Sequence, residues 1–185
     1  MNIIITDTET TGLLLARPTD MKLQPFITDI YAMKIDENFN MIEQYETLVR
    51  PPIPISKEIT KITGITDELL IGAPTFLEIY SDLYDFFKDG DLLVGQNISY
   101  DVEVIAYELM RHGLEHKFSW PKHSACTIDA SYHYQNKRLA LSKLHEFLFG
   151  EGFENAHRAK PDVRATARCF VELCKRGDID LSSYK

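Results

Sequence analysis

Two acidic residues near the amino terminus, Asp7 and Glu9, are separated by one residue and follow a run of isoleucines. Side chains alternate on an extended strand, so both carboxylates can face the same side of it. Divalent cations such as Mg²⁺ and Mn²⁺ prefer carboxylate oxygens, and two such ligands on one strand can bridge two ions. The pair is therefore a candidate metal site, although Asp-Thr-Glu taken alone is more often a solvated turn at a strand end.

Two further acids lie in the first turns of predicted helices. Asp101 follows a short apolar run, and Asp162 opens the last predicted helix. The helix macrodipole stabilises a carboxylate in this position, so each acid alone has an ordinary structural explanation. His157 lies in a loop five residues before Asp162. Because histidine titrates near neutral pH, it can take a proton from water and generate the nucleophile that phosphodiester hydrolysis requires.

Four predicted strands position the first carboxylates and lead to Asp101. Apolar, β-branched runs bounded by turn signals predict these strands over residues 2–7, 26–36, 45–49 and 91–95. The first strand is predicted to end near Asp7, residues 36–38 are predicted to form a hairpin connection, and residues 16–25 are predicted to be a loop. These strands suggest a mixed sheet.

Apolar residues at helical spacing predict the helices. Ser56 is a predicted cap, Thr66 a candidate cap for another helix, and Asn97 or Ser99 a cap for the helix that carries Asp101. The predicted helices cover a segment after Ser56, residues 76–87, residues 98–113, a segment near residue 129, residues 141–149 and residues 161–176. Strands, helices, a strand and helices, in that order, predict an α/β fold with a mixed central β-sheet flanked by α-helices.

Length and composition favour one globular domain. The chain has 185 residues, with 44% hydrophobic and 26% charged residues, and no repeat or low-complexity segment. We predict a single domain over residues 1–176 and a short tail over residues 177–185. The first residues resemble neither a signal peptide nor a membrane span, so a cytoplasmic protein without membrane contact is expected. The net charge of −8 argues against nucleic-acid binding by a broadly basic surface, whereas bound cations can reverse the local field at a carboxylate site.

The three motifs together resemble the DEDDh exonuclease family, which includes the epsilon proofreading subunit of bacterial DNA polymerase III, ribonuclease T, oligoribonuclease and the three-prime repair exonucleases. The resemblance is carried by residues 7–13 (Asp-Thr-Glu-Thr-Thr-Gly-Leu), by Asn97 with Asp101, and by His157 five residues before Asp162. Their order and spacing agree with the family across nearly the whole chain. The resemblance implies an RNase H-like fold and a 3′→5′ exonuclease with a two-metal mechanism that uses Mg²⁺ or Mn²⁺.

The resemblance also implies residue roles. Asp7, Glu9, Asp101 and Asp162 would be metal ligands, and His157 would be the general base. Further residues would hold or wedge against the last nucleotides of the substrate, namely Thr10, Gly12, Leu13, Ile62, Asn97 and Tyr100. The alternative for Ile62 is that it is a core residue. The segment Phe26-Ile27-Thr28-Asp29-Ile30 stands where the family usually has Ile-Ile-Glu-Ile, a difference predicted to be neutral for the chemistry.

The substrate and partners are less specified. We predict a single-stranded nucleic-acid 3′ end, with DNA favoured over RNA and release of nucleoside 5′-monophosphates, and a ribonuclease T or oligoribonuclease type of exoribonuclease as the alternative. A DNA polymerase partner and a homodimer are further expectations from the resemblance. Two other classes stay open from the residues alone. One is a non-catalytic nucleic-acid-binding module, and the other is a metal-dependent phosphatase or cyclic-nucleotide hydrolase, which usually needs several histidine ligands.

Overall fold

A five-stranded mixed sheet forms the centre of the computed structural model, which describes residues 1–16, 20–154 and 156–185. Its strands are β1 (Ile3–Thr10), β2 (Ile27–Ile35), β3 (Met41–Leu48), β4 (Leu92–Gly95) and β5 (His123–Cys126). The strand order is β3-β2-β1-β4-β5. Strands β1, β2 and β3 pair antiparallel, whereas β4 pairs parallel with both β1 and β5. The carboxyl ends of β1, β4 and β5 therefore meet at one edge of the sheet.

Helices cover both faces of the sheet. They are α1 (Lys57–Thr63), α2 (Phe76–Phe87), α3 (Ile98–Arg111), α4 (Thr127–Ser131), α5 (Leu141–Phe149) and α6 (Ala159–Arg176). Short 3₁₀ turns lie at Met21–Leu23, Tyr132–Tyr134 and Leu181–Tyr184. None of the helices in the described ranges combines the length and hydrophobicity that crossing a membrane requires.

Alternation along β1 divides the core into two layers. Ile3 and Ile5 pack with α5 and α6 on one face, and Ile4 packs with α2 and α3 on the other. All three isoleucines are fully buried. Because β1 is central, side chains one residue apart along it enter opposite layers of the protein, which sets where Asp7, Thr8 and Glu9 point.

The predicted α/β architecture is confirmed, and the structure corrects several boundaries. Strand β1 does not end near Asp7, because its pairing with β2 continues to Thr10, with a bulge between Glu9 and Thr10. Thr66 starts no helix; its hydroxyl accepts a bond from the Leu69 amide in a turn. Strand β5 was not predicted at all, because its four residues, His-Ser-Ala-Cys, carry no apolar alternation.

The structure also differs from the prediction at the start of α6, in the loop over residues 16–25 and in the carboxyl-terminal tail. Helix α6 begins at Ala159, so Pro161 is its third residue and Asp162 lies in its first turn. The predicted loop over residues 16–25 contains the turn Met21–Leu23, and its residues 17–19 lie outside the described ranges. At the carboxyl end, Ile179 is buried in the core layer of α6. The predicted tail therefore packs on the domain, and its boundary at residue 177 stays a prediction.

Candidate active site

Three of the predicted carboxylates converge where α6 crosses the end of β1. One oxygen each of Asp7, Glu9 and Asp162 lies within 4.8 Å of the others. Asp7 and Glu9 reach the α6 side of the sheet because they are two residues apart on β1. Asp162 reaches the same point because the first turn of α6 is anchored by Val163, which packs in the same core layer as Ile5.

Asp162 is held in a way that leaves one oxygen without a partner. Its Oδ2 atom accepts a bond of 3.0 Å from the backbone N–H of His157. Its Oδ1 atom is buried and has no hydrogen-bond partner among the described residues. A buried carboxylate oxygen without a donor is costly unless a cation meets it. Together with two neighbouring carboxylates, this atom fits a divalent cation bound by hard oxygen ligands.

Asp101 lies beside this group but is bonded to the strand. It is 2% exposed, and its Oδ1 atom accepts bonds from the Thr8 amide (2.9 Å) and the Thr8 hydroxyl (2.7 Å). The Thr8 amide is available because the ladder between β1 and β4 stops at the pair Ile5 and Val94. The Asp101 carboxylate therefore accepts the backbone hydrogen bond that a paired strand would otherwise accept from Thr8. Its ligand atom is not among the three that converge, although its charge acts on Asp7.

Burial raises the pKa of every carboxyl in this cluster, and repulsion from neighbouring carboxylates adds to the rise at Asp7 and Glu9. Burial, followed by the charge of Asp101, raises the pKa of Asp7 well above its ordinary range. Burial, then Asp162, raises the pKa of Glu9 to about 8. Burial also raises the pKa of Asp162 to about 6, against the opposing effect of the His157 amide. Without a cation the cluster holds protons near neutral pH, so a cation must displace them.

These raised pKa values predict that the metal-free protein loses stability as pH rises. The folded pKa of Glu9 (about 8) and of Asp162 (about 6) lie above ordinary values of 4.5 and 3.8. Over that interval the folded state binds more protons than the unfolded state, so the free energy of unfolding decreases with pH. Denaturant unfolding in EDTA at about pH 5 and about pH 8 should show this decrease.

The matched control is Glu9→Gln, which removes one of the groups that hold a proton in the folded state. Its loss of stability between the two pH values should be smaller than that of the unsubstituted chain. Equal losses in the two proteins would show that the carboxylate cluster does not carry the pH dependence.

His157 sits at the junction between the preceding loop and α6, with an exposed side chain. Its backbone has a φ of 68°, a left-handed conformation that costs energy for a residue other than glycine. The bond from its amide to Asp162 helps to hold that conformation. The imidazole is therefore tied by its own backbone to the carboxylate cluster while remaining open to solvent.

The predicted nucleotide-binding residues near β1 form a hydrogen-bonded turn. The Tyr100 hydroxyl lies 2.8 Å from the Gly12 carbonyl and 2.7 Å from the Thr10 hydroxyl, which itself lies 2.7 Å from the Gly12 carbonyl. Leu13 follows this turn and is 81% exposed, and Ile62 is 55% exposed. Ile62 is therefore not a core residue. The two aliphatic side chains are available to a ligand.

Asn97 is the N-cap residue of α3, one of the two predicted candidates, but it does not cap the helix with its side chain. It occupies the position before α3 with a left-handed φ of 65°, and its side chain makes no capping bond; Ser99 lies inside the helix. Instead, Asn97 Oδ1 accepts a 2.7 Å bond from Arg138, which also pairs with Asp129. The side chain of Asn97 is therefore held towards the segment after α4.

A family comparison decides between the classes that the geometry leaves open. The RNase_T family model, described as an exonuclease, matches residues 4–170. The match includes every residue of the carboxylate cluster and His157. The chain belongs to the exonuclease family. This membership confirms the prediction of a DEDDh-type 3′→5′ exonuclease that depends on a divalent metal.

Relatives of this exonuclease are replication proteins. A DNA polymerase III subunit epsilon of Treponema pallidum (strain Nichols) is 33% identical over 173 residues, which cover 90% of this chain and 74% of the relative. A PolC-type DNA polymerase III of Caldanaerobacter subterraneus subsp. tengcongensis is 34% identical over 175 residues. These residues are 94% of this chain but 12% of that polymerase, so the chain corresponds to a small part of the longer relative.

Solved exonuclease structures share the fold. Exonuclease X, in complex with 5′ overhanging duplex DNA, superposes with a TM-score of 0.69 at 19% identity, covering 98% of this chain and 96% of that one. The nuclease domain of 3′hExo, a DEDDh family member bound to rAMP, superposes with a TM-score of 0.71 at 19% identity, covering 95% and 92%. These likenesses confirm the RNase H-like fold.

The phosphatase alternative does not fit this exonuclease. Within the described ranges, the group of side chains that can hold a metal consists of Asp7, Glu9 and Asp162, with no histidine. His112 and His116 are exposed, and His112 stacks on Phe76. This oxygen-only ligand set suits a hard divalent cation.

Two neighbours of the cluster were missed from the sequence. Thr8 was treated as a spacer, yet it binds Asp101 with two hydrogen bonds. Asp29 lies opposite Glu9 in the ladder between β1 and β2, and its side chain pairs with Arg158. The available signal is an acid inside a largely apolar strand, and the difference at Asp29 is not neutral as predicted, because its side chain contacts the start of α6.

Proposed function

We propose that the chain removes nucleoside 5′-monophosphates from the 3′ end of single-stranded DNA, using two Mg²⁺ or Mn²⁺ ions. The observation that supports it is the convergence of Asp7, Glu9 and Asp162 within 4.8 Å, beside a histidine whose amide binds one of them. This arrangement has the carboxylates, the proton acceptor and the exposed approach that hydrolysis of a terminal phosphodiester requires.

Four carboxylates are proposed to hold the ions. Asp7, Glu9 and Asp162 converge already, and Asp101 is the proposed fourth ligand because the Thr8 bonds occupy its Oδ1 atom and leave Oδ2 to a cation. Bound divalent ions supply Lewis acidity towards the attacking water and the departing 3′ oxygen. The protein's part is to keep the ligand oxygens close together despite their repulsion.

His157 is proposed as the proton acceptor. Its imidazole is exposed, so it can meet a water molecule at the edge of the cluster and accept a proton from it. The left-handed backbone and the bond to Asp162 fix the position of the His157 backbone from which the imidazole extends. A proton removed from water would pass to the imidazole and then to solvent.

The substrate end is proposed to lie on the turn that follows β1. Tyr100 and Thr10 fix the Gly12 carbonyl, which orients the backbone towards a terminal nucleotide. Leu13 and Ile62 offer exposed aliphatic surface on which the last bases can pack. Asn97, the last of the predicted nucleotide-binding residues, lies at the start of α3.

DNA is proposed as the substrate because the two relatives described above are a PolC-type DNA polymerase III and a DNA polymerase III subunit epsilon. Because the nuclease domain of 3′hExo is bound to rAMP, the exoribonuclease alternative is tested as well. By the same relatives we propose a DNA polymerase as partner. That pairing, and the expected homodimer, are checked by light scattering of the chain alone and mixed with a polymerase.

The deciding experiment is digestion of matched 5′-labelled single-stranded DNA and RNA with Mg²⁺ or Mn²⁺. We expect a ladder that shortens from the 3′ end, that EDTA abolishes, and that forms faster on DNA. Faster shortening of RNA would select the exoribonuclease. If neither strand is shortened while Mg²⁺ still raises the unfolding temperature, the non-catalytic binding module replaces the proposal.

A further inference from the structure

The loop that carries His157 is tied to strand β2 by an ion pair across the fold. Arg158, the residue after His157, places its Nε atom 3.1 Å from Oδ2 of Asp29. The two residues are 129 positions apart in the chain. The Asp29 side chain is 7% exposed, whereas that of Arg158 is 40% exposed. A nearly buried carboxylate with its partner removed is strongly unfavourable, so Asp29 holds the guanidinium in place.

Asp29 also meets the start of α6 itself. Burial raises the pKa of Asp29, and the Arg158 side chain and the Ala159 backbone amide oppose that rise. The first N–H groups of a helix lack partners within the helix, so a carboxylate supplied from β2 satisfies one end of α6. In the ladder, Asp29 faces Glu9. The contact therefore fixes α6 relative to the strand that carries two of the carboxylates.

Two contacts anchor the backbone at His157 and at the residue that follows it. The His157 amide binds Asp162 on the following turn, and the next residue binds Asp29 on β2. Between them, His157 keeps a φ of 68°, a costly conformation that the two contacts help to hold. Two anchors on consecutive residues restrict the backbone from which the imidazole extends.

We propose that Asp29 and Arg158 are positioning residues that hold His157 in its working place beside the carboxylate cluster. The inference rests on the proposed role of His157 as proton acceptor. Arg158 then pairs with Asp29 within the protein and does not bind a substrate phosphate. The pair acts on the proton-transfer step through the histidine backbone.

The test compares Arg158→Gln, Asp29→Asn and the double variant in the oligonucleotide assay. Loss of a group that orients a reacting side chain should lower kcat by about tenfold to a hundredfold with KM little changed. The double variant should be no slower than the slower single variant, because both remove one contact. Arg158→Lys should restore part of the rate, since it keeps the charge but not the geometry of the fork.

A background variant separates positioning from general damage. In His157→Ala protein, Arg158→Gln should cost no further activity, because the residue through which it acts is gone. A rise in KM with unchanged kcat would make Arg158 a substrate-binding residue, and an equal loss in both backgrounds would make the pair merely structural; either result overturns the proposal. Arg176→Gln is the matched control, since this guanidinium pairs with Glu172 at the other end of α6, about 27 Å away for 18 residues.

A readout without catalysis keeps the inference apart from the proposed function. Amide hydrogen exchange at residues 157–159 should accelerate in Arg158→Gln and Asp29→Asn and stay unchanged in Arg176→Gln. If the unsubstituted chain cuts neither DNA nor RNA, the proposed function fails while this measurement still reports on the anchor. Unchanged exchange in both variants would overturn the anchor itself.

Discussion

Asp7→Ala is expected to lose exonuclease turnover to the level of the EDTA control while remaining folded. One oxygen of Asp7 lies within 4.8 Å of an oxygen of Glu9 and an oxygen of Asp162. Metal ions contribute several kcal/mol of transition-state stabilisation, and at about 1.4 kcal/mol per factor of ten their loss costs roughly a thousandfold or more. Metal-free Asp7→Ala should unfold at the same or a higher temperature than the unsubstituted chain, because burial and like charges make an ionised Asp7 unfavourable.

The measurement pairs turnover with unfolding temperature in EDTA and in Mg²⁺ or Mn²⁺. The unsubstituted chain should be stabilised by the ion, since a ligand that binds only the native state raises its stability, and Asp7→Ala should gain much less. Asp85→Ala is the control, an exposed acid on α2 that pairs with Lys88 and should leave both quantities unchanged. A near-normal rate in Asp7→Ala would rule out the metal assignment.

Local rules place each carboxylate, and the resemblance to the DEDDh exonuclease family predicts that they act together. Alternation on a strand places Asp7 and Glu9 on one side, and helix electrostatics favours Asp101 and Asp162 in first turns. Each of these rules involves residues a few positions apart. The strand containing Asp7 extends further than predicted because its end is set by pairing with β2, which the sequence of β1 does not contain.

The features that escape prediction depend on contacts between distant segments. Asp29 and Arg158 pair across 129 positions, and Arg138 reaches Asn97 across 41. Nothing in either local sequence requires these partners. Strand β5 is likewise defined by β4, whose parallel ladder recruits four residues without strand-like alternation. Sequence pattern and family resemblance therefore supply the proposed ligands, and the tertiary fold supplies the groups proposed to orient them.

His157→Ala is expected to lower turnover by about a hundredfold to ten-thousandfold, the usual contribution of a general base. The bond that His157 makes to Asp162 comes from its backbone amide, so the substitution leaves this contact available. Metal-induced stabilisation should consequently persist in His157→Ala and be lost in Asp162→Ala. Turnover and unfolding temperature, measured on both variants with and without Mg²⁺, separate the proton acceptor from the ligand.

His157→Asn tests whether backbone strain confuses this result. The residue has a φ of 68°, a conformation that asparagine adopts more readily than alanine. If loss of the imidazole is the cause, both variants should be slow to a similar degree. If His157→Asn is nearly as active as the unsubstituted chain, the conformation of the loop matters and the imidazole does not, and another group must accept the proton.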